Sequence, residues 1–124
     1  MLLTKEKILS AQDSSLEKVD VLEWGGHVFI RTMSGTERDQ FENESYNVTP
    51  AGPGKKPTVT MNRENFRARL LVRCVADESG QSLFTRKDIE ALGKKSAKAL
   101  DRLYDVAQRV NGLTPEDVEE LTKN

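Results

Sequence analysis

Gly25 and Gly26 stand between residues 18–24 and 27–33, two runs rich in Val, Ile, Phe and Trp. A Gly-Gly pair so placed predicts a two-residue β-hairpin, because the turns that match strand twist need φ > 0. That turn would set the register, with Trp24 opposite His27, Leu22 opposite Phe29, Val21 opposite Ile30, Asp20 opposite Arg31 and Val19 opposite Thr32. One face then carries Val19, Val21, Val28 and Ile30, a core-facing set. The other carries Leu22, Trp24 and Phe29 near the turn. An isolated hairpin is marginal in water, so the aliphatic face is expected to pack on helices. The aromatic face needs cover as well, from this chain or from a partner.

The rest of the chain reads mainly as helix. Thr4 is placed to cap a short helix ending near Ser10, and residues 12–17 read as a polar linker. Ser34 and Glu37 have capping-box spacing, opening a polar helix to about Tyr46 with Phe41 as its anchor. Residues 47–60 (NVTPAGPGKKPTVT) hold three of the four prolines and are expected to be a mobile loop without packed structure of its own. Asn62 is expected to cap a helix to about Ala76, whose apolar arc (Phe66, Ala68, Leu70, Leu71, Val72, Cys74 and Val75) covers more than half the wheel. Residues 77–80 read as a turn, and Thr85 with Asp88 starts a short helix ending near Gly93. Residues 96–111 give the cleanest amphipathic pattern, closed by Asn111-Gly112. Thr114 and Pro115 open a last helix with acidic residues at its positive end. The expected fold class is therefore α+β: a mainly helical small domain over residues 1–124 with one N-terminal β-hairpin.

Charge and composition exclude several functions. Nineteen Lys and Arg against 20 Asp and Glu leave a net charge of −1, whereas non-specific nucleic-acid binding needs a positive excess to displace counterions. Apolar runs of two to four residues are too short to span a bilayer. The lysines at positions 5 and 7 interrupt any apolar leader. The single cysteine, Cys74, has no internal disulfide partner and fits a reducing cytoplasm. No nucleic-acid, membrane, metal or cofactor partner is expected.

No catalytic constellation emerges. His27 is the only histidine, at a hairpin turn beside Trp24. Cys74 lies on the apolar arc, where a thiol behaves as a small hydrophobe. Residues 52–57 (GPGKKP) depart from the phosphate-loop spacing, with Thr49 where the first Gly belongs and Lys56 where Ser or Thr would bind Mg²⁺. Arg63, Arg67, Arg69 and Arg73 form the densest basic cluster, and the favoured reading is that they flank the apolar arc and pair with carboxylates. The sequons at Asn43 and Asn47 are chance matches on a chain without a secretory route.

Three blocks carry a resemblance: residues 21–42 (VLEWGGHVFIRTMSGTERDQFE), 64–85 (ENFRARLLVRCVADESGQSLFT) and 88–124 (DIEALGKKSAKALDRLYDVAQRVNGLTPEDVEELTKN). In their order and joint presence they resemble the tail assembly chaperones of long-tailed bacteriophages and prophages. The resemblance implies a non-enzymatic protein that binds the tape measure protein, keeps it soluble and helps recruit tail tube protein. It implies action in the host bacterial cytoplasm and absence from the mature virion. Many such proteins also exist as a longer product of −1 frameshifting, and Thr122-Lys123-Asn124 is compatible with the slippery codons ACA-AAA-AAC. A chaperone needs exposed apolar surface of limited extent, and the candidate partner-binding residues are Leu22, Trp24, Phe29, Phe66 and Leu70. The alternative is a structural virion component of head–tail connector or tail terminator type, which would form rings and stay in particles. Oligomeric state is left open by the sequence.

Overall fold

The computed structural model describes residues 1–113. Along them run α1 (Lys5–Ser10), β1 (Leu16–Val21), β2 (Gly26–Arg31), α2 (Gly35–Glu44), β3 (Tyr46–Thr49), β4 (Thr58–Met61), α3 (Phe66–Cys74), β5 (Val75–Ala76), α4 (Ile89–Gly93) and α5 (Ala97–Val110). The strands form two antiparallel sheets, one ordered β1-β2-β5 and one made of β3 and β4. The fold is α+β, but the expectation of one N-terminal hairpin is wrong, because a third strand joins that hairpin and a second hairpin follows α2. The helix expected to open at Thr114 lies outside the described residues.

The first hairpin forms with a different turn. Leu22–Trp24 close a 3₁₀ turn in which the Gly25 amide donates to the Leu22 carbonyl (3.1 Å). Gly25 alone takes up the left-handed conformation, at φ 73°, while Gly26 enters β2. Val21 therefore pairs with Gly26 rather than Ile30, and Val19 with Val28 rather than Thr32. The partner of each β1 residue moves by four positions. An even shift keeps every side chain on its own side of the pleat, so Val19, Val21 and Ile30 are buried as a set with Val28 packed beside them. The 3₁₀ turn folds Trp24 back against the core and leaves Leu22 87% exposed.

α3 is the centre of the molecule. Every residue from Ala68 to Cys74 is buried, Arg69 and Arg73 among them, and the helix packs against α5, α4 and α2. It begins four residues later than Asn62. That side chain instead accepts from the Glu64 amide (3.1 Å), and Asn65, at φ 50°, leads into the helix. Where it begins, the chain passes close to the end of α4: a Cβ on Gly93 would fall on the Asn65 side-chain amide. The helix also stops short of Ala76. β-Branched Val75 turns to extended backbone, and β5 pairs with β2 through Ile30–Val75 and Phe29–Ala76.

α5 buries Ala99, Leu100, Leu103 and Ala107 against α3 and the sheet. Its outer arginines reach back to the first hairpin. Arg102 makes two hydrogen bonds to the Glu23 carboxylate (2.7 and 3.0 Å), and Arg109 makes two to Glu17 (3.2 and 2.6 Å). Ser96 caps the N-terminus, its hydroxyl accepting from the Ala99 amide. At the other end the Asn111 side chain accepts from the Met33 amide (2.6 Å) and donates to the Ala107 carbonyl (2.9 Å), tying the helix to the end of β2. The capping boxes at Ser34/Glu37 and Thr85/Asp88 and the Thr4 cap also form as expected. α1 itself buries no residue.

Candidate functional site: an apolar groove and hairpin face

The site is built around two buried arginines. The Arg69 guanidinium donates to three backbone carbonyls: Glu64 (3.0 Å), Glu44 at the end of α2, and Asn62 just after β4. One planar cation thus satisfies three acceptors from two segments, the end of α2 and the connection from β4 to α3. One turn on, Arg73 donates to the Arg69 carbonyl (3.0 Å) and to the Glu44 carboxylate (2.8 Å), which also pairs with Arg86 (3.1 Å). The pairing expected for the basic cluster holds for Arg73 and for Arg67, which pairs with Asp101. Arg69 does something the sequence did not signal, binding carbonyls rather than a carboxylate.

These contacts fix the base of the second hairpin. Asn62 completes the closure, its amide donating to the Ser45 carbonyl (2.8 Å) and its side chain to the Glu44 carbonyl (3.1 Å). The two ends of the 47–60 stretch therefore pair as strands where a loop alone was expected, and residues 50–57 connect them without helix or strand. Tyr46 pairs with Met61, Asn47 with Thr60, Val48 with Val59 and Thr49 with Thr58. Directly opposed residues share a face. One face is therefore Tyr46, Val48, Val59 and Met61, and the other is Asn47, Thr49, Thr58 and Thr60. All four apolar side chains are between 51% and 63% exposed. Nothing among the described residues covers them.

Beneath the hairpin lies an open groove of about 570 Å³. Tyr46 and Met61 belong to its wall, so the hairpin's apolar face runs on into it. Phe41 of α2, Phe66 of α3, Tyr104 of α5 and Leu113 supply the rest of its apolar lining. Phe66 meets Tyr104 edge to face, with ring centroids 5.4 Å apart, and Arg67 lies 4.5 Å over the Phe66 ring. Burial pushes the Tyr104 phenol above its ordinary range. Arg38 and Arg63 stand in the polar part of the lining, with Glu42 the one carboxylate there among the described residues.

Of the five residues singled out from sequence, only Phe66 lines this groove. Leu70, one turn further along α3, is fully buried and offers no surface. Trp24 is half-buried against the core, and Phe29 is half-buried beside His27 with ring centroids 5.8 Å apart. Leu22 stands alone at the first turn. Sequence reasoning missed Tyr46, Val48, Val59 and Met61. Their period-two alternation was present, but the prolines and glycines between the two arms masked it.

Among the described residues no three His, Cys, Asp or Glu side chains gather as a metal would need. Burial pushes the Cys74 thiol to about 12, leaving it protonated and unreactive. What the surface offers is apolar area, aromatic edges and a few cations, the features of a polypeptide-binding face.

The chain belongs to the phage tail assembly chaperone family, whose model matches residues 4–124. Among solved structures, its fold is similar to that of the bacteriophage HK97 tail assembly chaperone. That similarity has a TM-score of 0.56 at 16% identity, over 85% of this chain and 94% of the other. No curated protein matches it in sequence.

Proposed function

We propose that this chaperone holds the tape measure protein on the groove and hairpin face, keeps it soluble in the host cytoplasm, and helps tail tube protein assemble around it. It acts by binding, without catalysis, and leaves before the virion is complete. The observation that supports this reading is the unpartnered face of Tyr46, Val48, Val59 and Met61, continuous with a groove floored by Phe41 and Phe66. Such a surface buries an apolar stripe of an unassembled client while the polar hairpin face stays in water.

The test is co-expression with the tape measure protein of the same genome, followed by fractionation and pull-down. Wild-type chain is expected to bring the client into the soluble fraction and co-purify with it. The double substitution Tyr46→Ser/Met61→Ser changes only exposed side chains, so its melting temperature should stay within a few degrees of wild type while client capture falls at least tenfold. Undiminished capture by that variant would move the client site elsewhere. Rings of this chain in purified particles would instead make it a virion component.

A further inference from the structure

The register of the second hairpin says which backbone groups lie on its open edges. The Asn62 amide donates to the Ser45 carbonyl (2.8 Å), so these two oppose each other at a hydrogen-bonded position. Bonded and non-bonded pairs alternate along antiparallel strands. Tyr46 opposite Met61 and Val48 opposite Val59 are therefore the non-bonded pairs, and their N–H and C=O groups point out of the hairpin. On β4 the outward groups are the amides and carbonyls of Val59 and Met61. Beyond the hairpin none of these four has a partner among the described residues. The same two residues carry exposed apolar side chains. Charge distinguishes β4 from β3. Lys55 and Lys56 precede β4 and Arg63 follows it, and none of the three forms an ion pair among the described residues. β3 instead follows Glu42 and Glu44.

We propose that β4 takes an extended segment of the client as an added antiparallel strand, one with apolar side chains at every second position and carboxylates at both ends. The proposal deepens the chaperone reading and rests on it for the identity of the client. Main-chain bonds supply the grip, and alternate side chains supply the selectivity. Residues of the added strand that bond Val59 and Met61 sit directly opposite them and share their face of the sheet. One segment thus satisfies the free amides and carbonyls and covers the exposed apolar face together. Its terminal carboxylates meet Lys55 and Lys56 at one end and Arg63 at the other. A second copy of this chain is a poor occupant, because two β4 strands laid antiparallel would set Lys55 and Lys56 of each beside Arg63 of the other.

The probe is a fluorescein-labelled peptide, Asp-Asp-Val-Thr-Val-Thr-Val-Asp-Asp, titrated into full-length wild-type chain with anisotropy as readout. Saturable binding that weakens with added salt is expected. Methylating the valine amides, which face β4, should weaken binding roughly tenfold or more, whereas methylating the threonine amides, which face away, should change it less than about threefold. No binding, or equal loss from both methylated peptides, overturns the proposal. Hydrogen exchange then places the strand without any protein variant. With peptide bound, the Val59 and Met61 amides should gain protection, and binding that leaves both exchanging as in the free chain overturns the proposal as well. Its failure is separable from failure of the chaperone reading. Val59→Pro removes an outward amide and leaves the hairpin's own ladder intact, so it should lose client capture on co-expression. Capture that survives this change discards the added strand and keeps the chaperone.

Discussion

Replacing Arg69 by Met tests whether this cation holds the second hairpin to the helical body. The substitution keeps the apolar stem that packs in α3 but removes the donors to the Glu64, Glu44 and Asn62 carbonyls. A net hydrogen bond contributes about 1 kcal/mol, and acceptors left unsatisfied in a buried setting cost more. Three lost bonds therefore come to roughly 3 kcal/mol. For a chain of this length that is a drop of ~10 °C in melting temperature. It is also a large share of the ~5–15 kcal/mol that holds a typical domain together. Urea and thermal unfolding measure the total, and hydrogen exchange locates it. The Asn62 amide, bonded to Ser45 at the hairpin base, should lose protection far more than amides of α5. Arg69→Lys keeps the charge but not the planar fork, so it should lie between wild type and Met, about 1–2 kcal/mol down. The reasoning fails if Arg69→Met unfolds within 0.5 kcal/mol of wild type, or if the Asn62 amide keeps its protection while stability falls elsewhere.

Two further outcomes follow from side chains that tie the helices to the first sheet. Asn111→Ala removes the acceptor for the Met33 amide and the donor to Ala107. It should cost about 2 kcal/mol, and an unchanged urea midpoint would refute the cap. The Arg102 guanidinium holds the Glu23 carboxyl down from its ordinary 4.5 to about 2. A depressed carboxyl stabilises the fold above its unfolded value, so this contribution is complete above pH 4.5 and fades as pH falls toward 2. Carboxyl ¹³C titration should place Glu23 near 2 in wild type and shift it toward 4.5 in Arg102→Gln. A wild-type midpoint near 4.5 would show that the ion pair is not formed.

Local sequence pattern was informative where local interactions decide the structure. The helix starts at Thr4, Ser34 and Thr85 and the amphipathic face of α5 were all readable, because each depends on residues within a few positions. The first hairpin was readable in its inward face but not in its register. Gly25-Gly26 permits two turns, and Trp24 reaches the core only through the wider one. The end of α3 at Cys74 was hidden for another reason: Val75 continues the apolar arc of the helix, and its β-branched preference for extended backbone takes effect through pairing with the open edge of β2, a long-range contact. The candidate surface was the least legible. Tyr46 and Met61 are fifteen residues apart, and the site they share exists because Arg69 gathers carbonyls from both sides of the hairpin.

The second hairpin also bears on self-association. Two apolar strand arms with open edges are a template onto which other copies can add, the first step toward a fibril. Here Pro50 follows β3 immediately and Pro57 immediately precedes β4. Each lacks an amide proton and stops a ladder from growing toward the tip. At the other end the arms run straight into Ser45 and Asn62, whose backbone groups are already engaged. Any strand that joins from outside finds four residues to pair with and no more, enough for a reversible grip and too few to seed a fibre.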